Sequence, residues 1–143
     1  MVHYETLSID CLGHASVRIE SDGGTVVYID PWSSALAEDP HDADVVLISH
    51  DDHDHYDPEG IRAVATDETV VLAYEGVDTS DLGMAVEHLV ADETTTAGGI
   101  SVRGVPAYNA ADGPHVDEDG NPFHAKGEVL GLLVTIDDVV VYY

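Results

Sequence analysis

Basic residues are scarce in this sequence: four Lys and Arg stand against 29 Asp and Glu, giving a net charge of −25 over 143 residues. A chain without a basic cluster cannot meet the phosphates of a nucleic acid, so no nucleic-acid partner is expected. The acidic residues are spread along the chain, and hydrophobic residues make up 44% of it, which argues against a disordered acidic tail. This composition predicts a halophilic protein whose self-repulsion is screened by salt.

Cysteine is also nearly absent. The single Cys11 excludes an internal disulfide, and the zinc-thiolate spacings do not occur. The first residues show neither the basic region nor the apolar stretch of a signal peptide, and the apolar runs are too short to span a membrane. We therefore expect a cytoplasmic protein with no membrane association, and a single domain over residues 1–143.

Strand patterns dominate the chain. A helix is predicted at 59–66, after Asp57 as N-cap and Pro58 in the first turn, and a short helical turn at 80–83. Residues 108–127 show no periodicity and predict a long loop, which is usually functional or disordered at that length. Apolar segments bounded by turn residues predict strands at 7–11, 15–20, 25–30, 45–49, 69–74, 85–90, 100–105, 129–136 and 139–143. We expect an α/β fold.

Six consecutive side chains that can ligate a metal follow the apolar run 45–48; they are His50, Asp51, Asp52, His53, Asp54 and His55. They leave the carboxyl end of a predicted buried strand, where open α/β sheets place ligand sites. Imidazoles and carboxylates suit zinc, iron or manganese, and closely spaced ligands can serve two ions. A solvated acidic loop would explain the Asp residues, but not three of the nine His within six positions. Calcium is disfavoured, because it prefers oxygen ligands.

Several short motifs occur in the order found in a known family: Gly13-His14-Ala15-Ser16, Ile29-Asp30-Pro31, the segment 49–57, Pro106-Ala107-Tyr108-Asn109 and His124-Ala125-Lys126-Gly127. As an ordered set they resemble the metallo-β-lactamase-fold hydrolases, and in particular the lactonase-like, UlaG-like zinc-dependent branch. The resemblance implies a four-layer αββα fold, of which this chain would hold the N-terminal half and the start of the second half.

The resemblance also implies metal ligands. One ion would be held by His50, by His124 and by either Asp52 or His53, because the family's second His falls on Asp52 and His53 lies one position later. Asp54 and His55 would begin a second site. Asp54 would also act as the catalytic residue that orients the attacking water.

Five further residues are expected behind the ligands or along the pocket: His14, Asp30, Tyr108, Asn109 and Lys126. Three of them have plain structural interpretations as well. His14 could pack at the start of a strand, and Asp30 could end one, because the residue before a proline is forced into an extended conformation. Lys126, the only lysine, could meet an anionic substrate or be an ordinary exposed side chain.

The implied function is a metal-dependent hydrolase that cleaves an ester, lactone or phosphoester of a small-molecule substrate by metal-activated hydroxide. Zinc is the expected metal, as one or two ions, with manganese or iron as alternatives. In the family a metal-bridging Asp and a further His follow the position of Tyr143, so this chain alone is expected to complete one site at most and to be a poor catalyst. The terminal strand 139–143 would expose an edge that favours a homo-oligomer. The alternative is a non-catalytic truncated remnant that binds a metal or only oligomerises.

Overall fold

The computed structural model describes all of residues 1–143 and contains eleven β-strands and one α-helix. The helix, α1, spans Pro58–Val64, and a short 3-10 helix spans Ser33–Ala35. The strands are β1 (Val2–Tyr4), β2 (Leu7–Gly13), β3 (Ser16–Ser21), β4 (Val26–Ile29), β5 (Ala43–Ile48), β6 (Ala65–Tyr74), β7 (Val86–Leu89), β8 (Thr94–Ala97), β9 (Ile100–Ala107), β10 (Val129–Ile136) and β11 (Val139–Tyr142).

The strands form two sheets. Strands β1 to β7 lie side by side in chain order, antiparallel from β1 to β4 and parallel from β4 to β7. The second sheet is antiparallel, with the order β11-β10-β9-β8. A single cluster of 27 buried apolar residues draws on both sheets, so the two sheets pack face to face.

The centre of the larger sheet is covered on both faces. Every residue of β4 is buried, as are residues 45–48 of β5, which is why these segments are continuous apolar runs rather than alternating ones. The second sheet covers one face, and α1 contributes Ile61 and Val64 to the core. The parallel strands β4, β5 and β6 therefore end at a common edge, each followed by a loop.

The start of α1 fixes the loop that precedes it. The side chain of Asp57 accepts hydrogen bonds from the backbone N–H of Glu59 at 3.0 Å and of Ser33 at 2.8 Å, which caps the helix and ties it to the segment after β4. Gly60 is required here because a Cβ at this position would collide with the carbonyl oxygen of Pro31. The helix therefore lies close against the segment that follows β4.

The observed elements differ from the predicted ones in several places, and the 3-10 helix Ser33–Ala35 is one element that was not predicted. The helix ends at Val64 and β6 begins at Ala65 without a loop, because Ala65 already pairs with Ala43 of β5. Residues 80–82 form only a turn. Strand β1 is fully exposed, so it has no apolar pattern by which to be recognised. Strand β8 is threonine-rich and was missed, although the Gly98-Gly99 turn between β8 and β9 is a hairpin signal.

The single α-helix has seven residues, and no helix of the protein has the length and apolar character needed to cross a bilayer.

Candidate metal centre

The ends of two neighbouring parallel strands bring the polar residues of the site together. Asp30 follows β4, and Ser49 and His50 follow β5, so all three lie at the edge where open α/β sheets bind ligands. His124 reaches the same place from the segment between β9 and β10. Leu130 at the start of β10 donates a backbone hydrogen bond of 3.1 Å to the Ser49 carbonyl, which joins the second sheet to the site.

Asp30 is fully buried and its carboxylate organises the centre. Oδ1 accepts a hydrogen bond of 2.8 Å from the backbone N–H of Ser49. Oδ2 accepts three: from the Ser49 hydroxyl at 2.5 Å, from His55 Nδ1 at 2.6 Å and from the Tyr143 hydroxyl at 2.8 Å. Asp30 also has a φ of 46°, in the left-handed region that costs energy for a non-glycine residue. The backbone of Asp30 is therefore strained, and its carboxylate, which accepts four hydrogen bonds, holds Ser49, His55 and Tyr143 in place.

These hydrogen bonds fix the tautomers of two histidines. His55 Nδ1 faces Asp30, an acceptor, and therefore carries a proton. The Ser49 hydroxyl gives its single proton to Asp30, so its contact of 2.8 Å with His50 Nδ1 requires His50 to donate. In neutral imidazoles Nε2 then keeps its lone pair in both residues, which is the form that binds a metal.

His50 Nε2 is buried and has no hydrogen-bond partner. Buried polar atoms are rarely left unpaired, so this one calls for an explanation. Burial, together with the charge of nearby His55, lowers the pKa of His50, which keeps the ring neutral near pH 7. A buried, neutral nitrogen with a free lone pair is the donor that a metal ion needs, and the residues present therefore fit a metal.

Two further donors lie opposite this nitrogen. Asp52 Oδ2 is 3.5 Å from His50 Nε2 and 3.8 Å from His124 Nε2, and the three ligand atoms all lie within 4.8 Å of one another. Ligand atoms around a tetrahedral zinc ion are about 3.3 Å apart, since zinc bonds to nitrogen and oxygen at about 2.0–2.2 Å. This group, the His50 triad of His50, Asp52 and His124, could hold one ion after a small contraction.

A second group contains Asp30, His50 and His55, whose ligand atoms also lie within 4.8 Å of one another. The His50 and His55 rings are close, with centroids 3.9 Å apart. Asp30 is already saturated by hydrogen bonds, so we assign it to holding the rings and not to the metal. Burial disfavours the charged form of His55, but the hydrogen bond and charge of Asp30 outweigh this and raise the pKa of His55.

Asp54 and His53 are adjacent in sequence, but their side chains differ in how far they are exposed to solvent. Asp54 is largely buried and its Oδ2 is hydrogen-bonded to His14 Nε2. Burial alone would raise the pKa of Asp54, but the hydrogen bonds from His14 and from its own backbone lower it. His53 has a side chain that is 90% exposed, and its Nδ1 lies 3.8 Å from Asp54 Oδ1. The structure thus brings Asp52 to His50 and His124, and leaves His53 in solvent.

His14 closes the other side of the site. Its ring lies against Trp32, with centroids 5.4 Å apart, and 6.3 Å from the ring of His55. Like Asp30, His14 is a non-glycine residue with a left-handed φ, here 53°. Two such residues in contact with the same cluster are typical of a functional site.

The segment between β9 and β10 presents His124. Asn109 holds it twice: its side-chain oxygen accepts from the His124 N–H at 3.0 Å, and its own N–H donates to the His124 carbonyl at 2.9 Å. The Tyr74 hydroxyl, at the end of β6, donates to the Gly127 carbonyl at 2.5 Å. Two larger cavities, of about 470 Å³ and about 310 Å³, lie elsewhere on the surface and touch none of these residues. A cavity of about 220 Å³ lies beside His124 and is lined by Ala107, Tyr108, Asn109, His124 and Val129.

Three residues of this arrangement were not predicted as site residues: Ser49, Tyr74 and Tyr143. Ser49 stood inside the recognised segment, and its place directly before His50 was an available signal. Tyr74 and Tyr143 reach the site only through the fold, since the Tyr143 hydroxyl bonds Asp30 across 113 positions of sequence. Nothing in their local sequence indicates this.

Residues 8–143 match the sequence profile of a family described as the beta-lactamase superfamily domain. The chain belongs to this family. It is 29% identical over 138 residues to a UPF0173 metal-dependent hydrolase of Rubrobacter xylanophilus, with 90% of this chain and 55% of that protein covered. It is 32% identical over 147 residues to the UPF0173 metal-dependent hydrolase of Methanopyrus kandleri, with 96% and 60% covered.

A crystal structure of a proposed metal-dependent hydrolase from Parabacteroides distasonis superposes with a TM-score of 0.79 at 30% identity, covering 95% of this chain and 59% of that one. The family membership confirms the resemblance to the metallo-β-lactamase-fold hydrolases, and this superposition confirms the αββα fold. The chain spans 55% and 60% of the length of the two curated relatives.

Proposed function

We propose that this chain carries the metal-binding part of a hydrolase that cleaves an ester, lactone or phosphoester of a small-molecule substrate. The single observation that supports this most directly is the buried, unpartnered Nε2 of His50, with Asp52 and His124 opposite it. An unpaired buried donor in a protein whose relatives are named metal-dependent hydrolases is best explained as a ligand. A divalent ion bound there would supply an activated water as the nucleophile.

Zinc is the proposed metal. The His50 triad offers two imidazoles and one carboxylate, a donor set that zinc uses in catalytic sites with a fourth position left for water or substrate. Manganese and iron accept the same donors and are the alternatives. A second ion would use the Nε2 of His55, because its Nδ1 is committed to Asp30, together with Asp54.

Asp54 is the proposed catalytic residue. Its lowered pKa keeps the carboxylate ionised near pH 7. His14 is hydrogen-bonded to Oδ2, whereas the nearest histidine nitrogen to Oδ1 is Nδ1 of His53, at 3.8 Å. Oδ1 can therefore accept a hydrogen bond from the attacking water and orient it. As the water oxygen adds to the carbonyl carbon or phosphorus, Asp54 takes its proton and passes it to the leaving alcohol oxygen when the bond to that oxygen breaks.

The test combines metal content with turnover of a panel of 4-nitrophenyl butyrate, a γ-lactone and bis(4-nitrophenyl) phosphate. We expect the purified chain to bind zinc and to hydrolyse at least one member slowly, because it is expected to complete one metal site at most, and we expect His124→Ala to lower both metal content and rate. His53→Ala is the matched control, because it removes an exposed imidazole from the same loop. A zinc-loaded chain with no turnover would support the non-catalytic alternative, and a chain that binds no metal would overturn the proposal.

A further inference from the structure

One positive charge of this protein has no acidic or carbonyl partner. Arg18 donates to Glu20 and Asp42, both at 2.8 Å. The Arg62 guanidinium donates hydrogen bonds to the backbone carbonyls of Asp81 and Leu82, and Arg103 pairs with Asp92 at 3.5 Å. The remaining cation, Lys126, makes no hydrogen bond or ion pair, in a chain where acidic residues outnumber basic ones 29 to 4.

This cation stands beside the candidate metal centre. Lys126 is two residues after His124, on a backbone segment that is held at both ends, by the Asn109–His124 hydrogen bonds and by Tyr74 on Gly127. The only neighbouring carboxylate in that turn, Glu128, accepts a hydrogen bond of 2.6 Å from the backbone N–H of Ala125. The backbone is therefore fixed, while the ammonium group remains free for an external partner.

The Lys126 ammonium lies 6.0 Å from the centre of the Tyr108 ring. Tyr108 is half exposed and lines the cavity of about 220 Å³ that also contains His124. Cavities that enclose a whole drug-sized ligand usually measure about 300–1,000 Å³, so this one suits a small group. The ammonium group thus lies near one residue of the cavity wall, Tyr108, while the His124 imidazole forms another part of that wall, so an anion bound between them would lie next to a candidate metal ligand.

We propose that Lys126 and Tyr108 form a subsite for an anionic group, a carboxylate or a phosphate, carried by the substrate. The assignment of this anionic group to a substrate rests on the function proposed above, whereas the binding of an anion by Lys126 does not. A protein with a net charge of −25 repels anions at a distance. A free ammonium group next to the reacting centre offsets that repulsion locally. A neutral substrate would not be repelled and would gain nothing from this charge, so the position of Lys126 favours an anionic substrate.

The first measurement compares two esters, 4-nitrophenyl hemisuccinate, which carries a carboxylate, and the neutral 4-nitrophenyl butyrate. For the zinc-loaded chain we expect Lys126→Met to lower the ratio of the two kcat/KM values, charged over neutral, by about tenfold, the scale of one charge-assisted contact. Lys126→Arg should keep most of the ratio. Arg103→Met is the matched control, because it also removes one positive charge but from the partner of Asp92.

The second measurement needs no activity. The metal-free chain, labelled with ¹⁵N, is titrated separately with inorganic phosphate and with acetate while amide shifts are followed. We expect saturable shifts at residues 107–109 and 124–127 with at least one of the two ions, weakened about tenfold in Lys126→Met. The ion that binds more tightly identifies the anionic group as phosphate or carboxylate.

The two measurements separate the subsite from the proposed function. Anion binding that depends on Lys126, in a chain that hydrolyses neither ester, would support the subsite and count against hydrolysis. The subsite is overturned if no saturable shifts occur, if Lys126→Met leaves them unchanged, or if Arg103→Met changes the ester ratio as much as Lys126→Met does.

Discussion

Asp30 Oδ2 accepts a hydrogen bond of 2.6 Å from His55 Nδ1 across 25 positions of sequence. The same oxygen accepts a hydrogen bond from the Ser49 hydroxyl, and the oxygen of that hydroxyl accepts a hydrogen bond from the Nδ1–H of His50. One buried carboxylate therefore sets the tautomers of two candidate ligands, His55 directly and His50 through a hydroxyl. Partners of this kind orient a ligand and raise its basicity, and their loss typically weakens metal binding by about 10–100-fold.

Asp30→Asn should weaken zinc binding by about 10–100-fold. The amide keeps the shape of the carboxylate but removes its charge, and it brings N–H donors where Ser49 and His55 need acceptors. Zinc affinity measured by competition with a chromogenic chelator tests this. Asp22→Asn, at an exposed turn, removes the same charge without touching the site, and equal affinities in the two variants would refute the role given to Asp30.

Ser49→Ala should also weaken zinc binding, because His50 loses the acceptor for its Nδ1 proton. In the metal-free chain, ¹⁵N chemical shifts of the His50 ring should show the proton leaving Nδ1, a change that simple loosening of the fold would not produce. Ser49→Thr keeps the hydroxyl and should restore both properties. An unchanged tautomer in Ser49→Ala would show that the hydroxyl does not orient the ring.

The choice between Asp52 and His53 stays a prediction, and substitutions can decide it. The structure favours Asp52, whose carboxylate faces His50 and His124, while His53 is exposed. Asp52→Ala should therefore lower the zinc content measured by elemental analysis, and His53→Ala should leave it near the wild-type value. The double variant His50→Ala/His55→Ala should bind almost none. Retention of zinc by that double variant would rule out this cluster as the metal site.

The sequence carried enough information for the position of the site but not for its geometry. The apolar run of β5 and the cap at Asp57 bracket the ligand loop, so its place at the end of a buried strand was predictable. Within the loop, spacing could not decide between Asp52 and His53, because an irregular backbone has no fixed period that sets where a side chain points. In the structure the backbone of residues 52–56 forms a turn, in which the Asp52 carbonyl accepts hydrogen bonds from the N–H groups of His55 and Tyr56, both at 2.8 Å, and this turn places the Asp52 side chain towards His50 and His124.

The remaining misses have similar physical causes. Strands β1 and β8 bury too little apolar surface to leave a pattern, and they are strands because β2 and β9 offer an edge to pair with. The left-handed backbone of Asp30 also had no local signal, since its extended alternative before Pro31 is the usual one. Tertiary hydrogen bonds to four groups compensate for that conformation.

Tyr28 should make the protein sensitive to alkali. Burial, together with its hydrogen bond of 2.9 Å to Asp42, raises the pKa of Tyr28 to about 12, against about 10 in an unfolded chain. A pKa that is higher in the folded state means that the stabilisation is complete below about pH 10 and is lost as the pH rises through about 12. The free energy of unfolding should therefore fall over this interval.

Tyr28→Phe isolates this contribution. The variant should lose about 1 kcal/mol at pH 8 for the missing hydrogen bond, and its free energy of unfolding should fall less between pH 10 and 12. The pKa values of Tyr56 and Tyr143 are raised too, but these residues remain in both proteins, so the difference reports Tyr28. Exposed Tyr4→Phe is the control, and parallel pH profiles for wild type and Tyr28→Phe would contradict the assignment.

The halophilic character stays a prediction, and the structure makes it specific. Arg18 and Arg103 pair with only three carboxylates, and the N-terminus with one more, so most of the 29 acidic side chains have no basic partner. Between about 0.1 M and about 1 M KCl the Debye length falls from about 10 Å to about 3 Å. The melting temperature should rise substantially over that range, whereas sucrose at matched osmolality should not reproduce the full increase.

The Asp137-Asp138 turn offers a direct test of the cause. Both residues are exposed and both have a left-handed φ, 48° and 66°, which Asn adopts as readily as Asp. Asp137→Asn/Asp138→Asn therefore removes two adjacent like charges and keeps the turn between β10 and β11. The variant should melt at a higher temperature than wild type in about 0.1 M KCl, and the gap should narrow at about 1 M because salt then screens the repulsion in wild type. A gap that is the same at both concentrations would mean that the substitutions act through the turn and not through charge, and a wild-type melting temperature indifferent to salt would refute the halophilic interpretation itself.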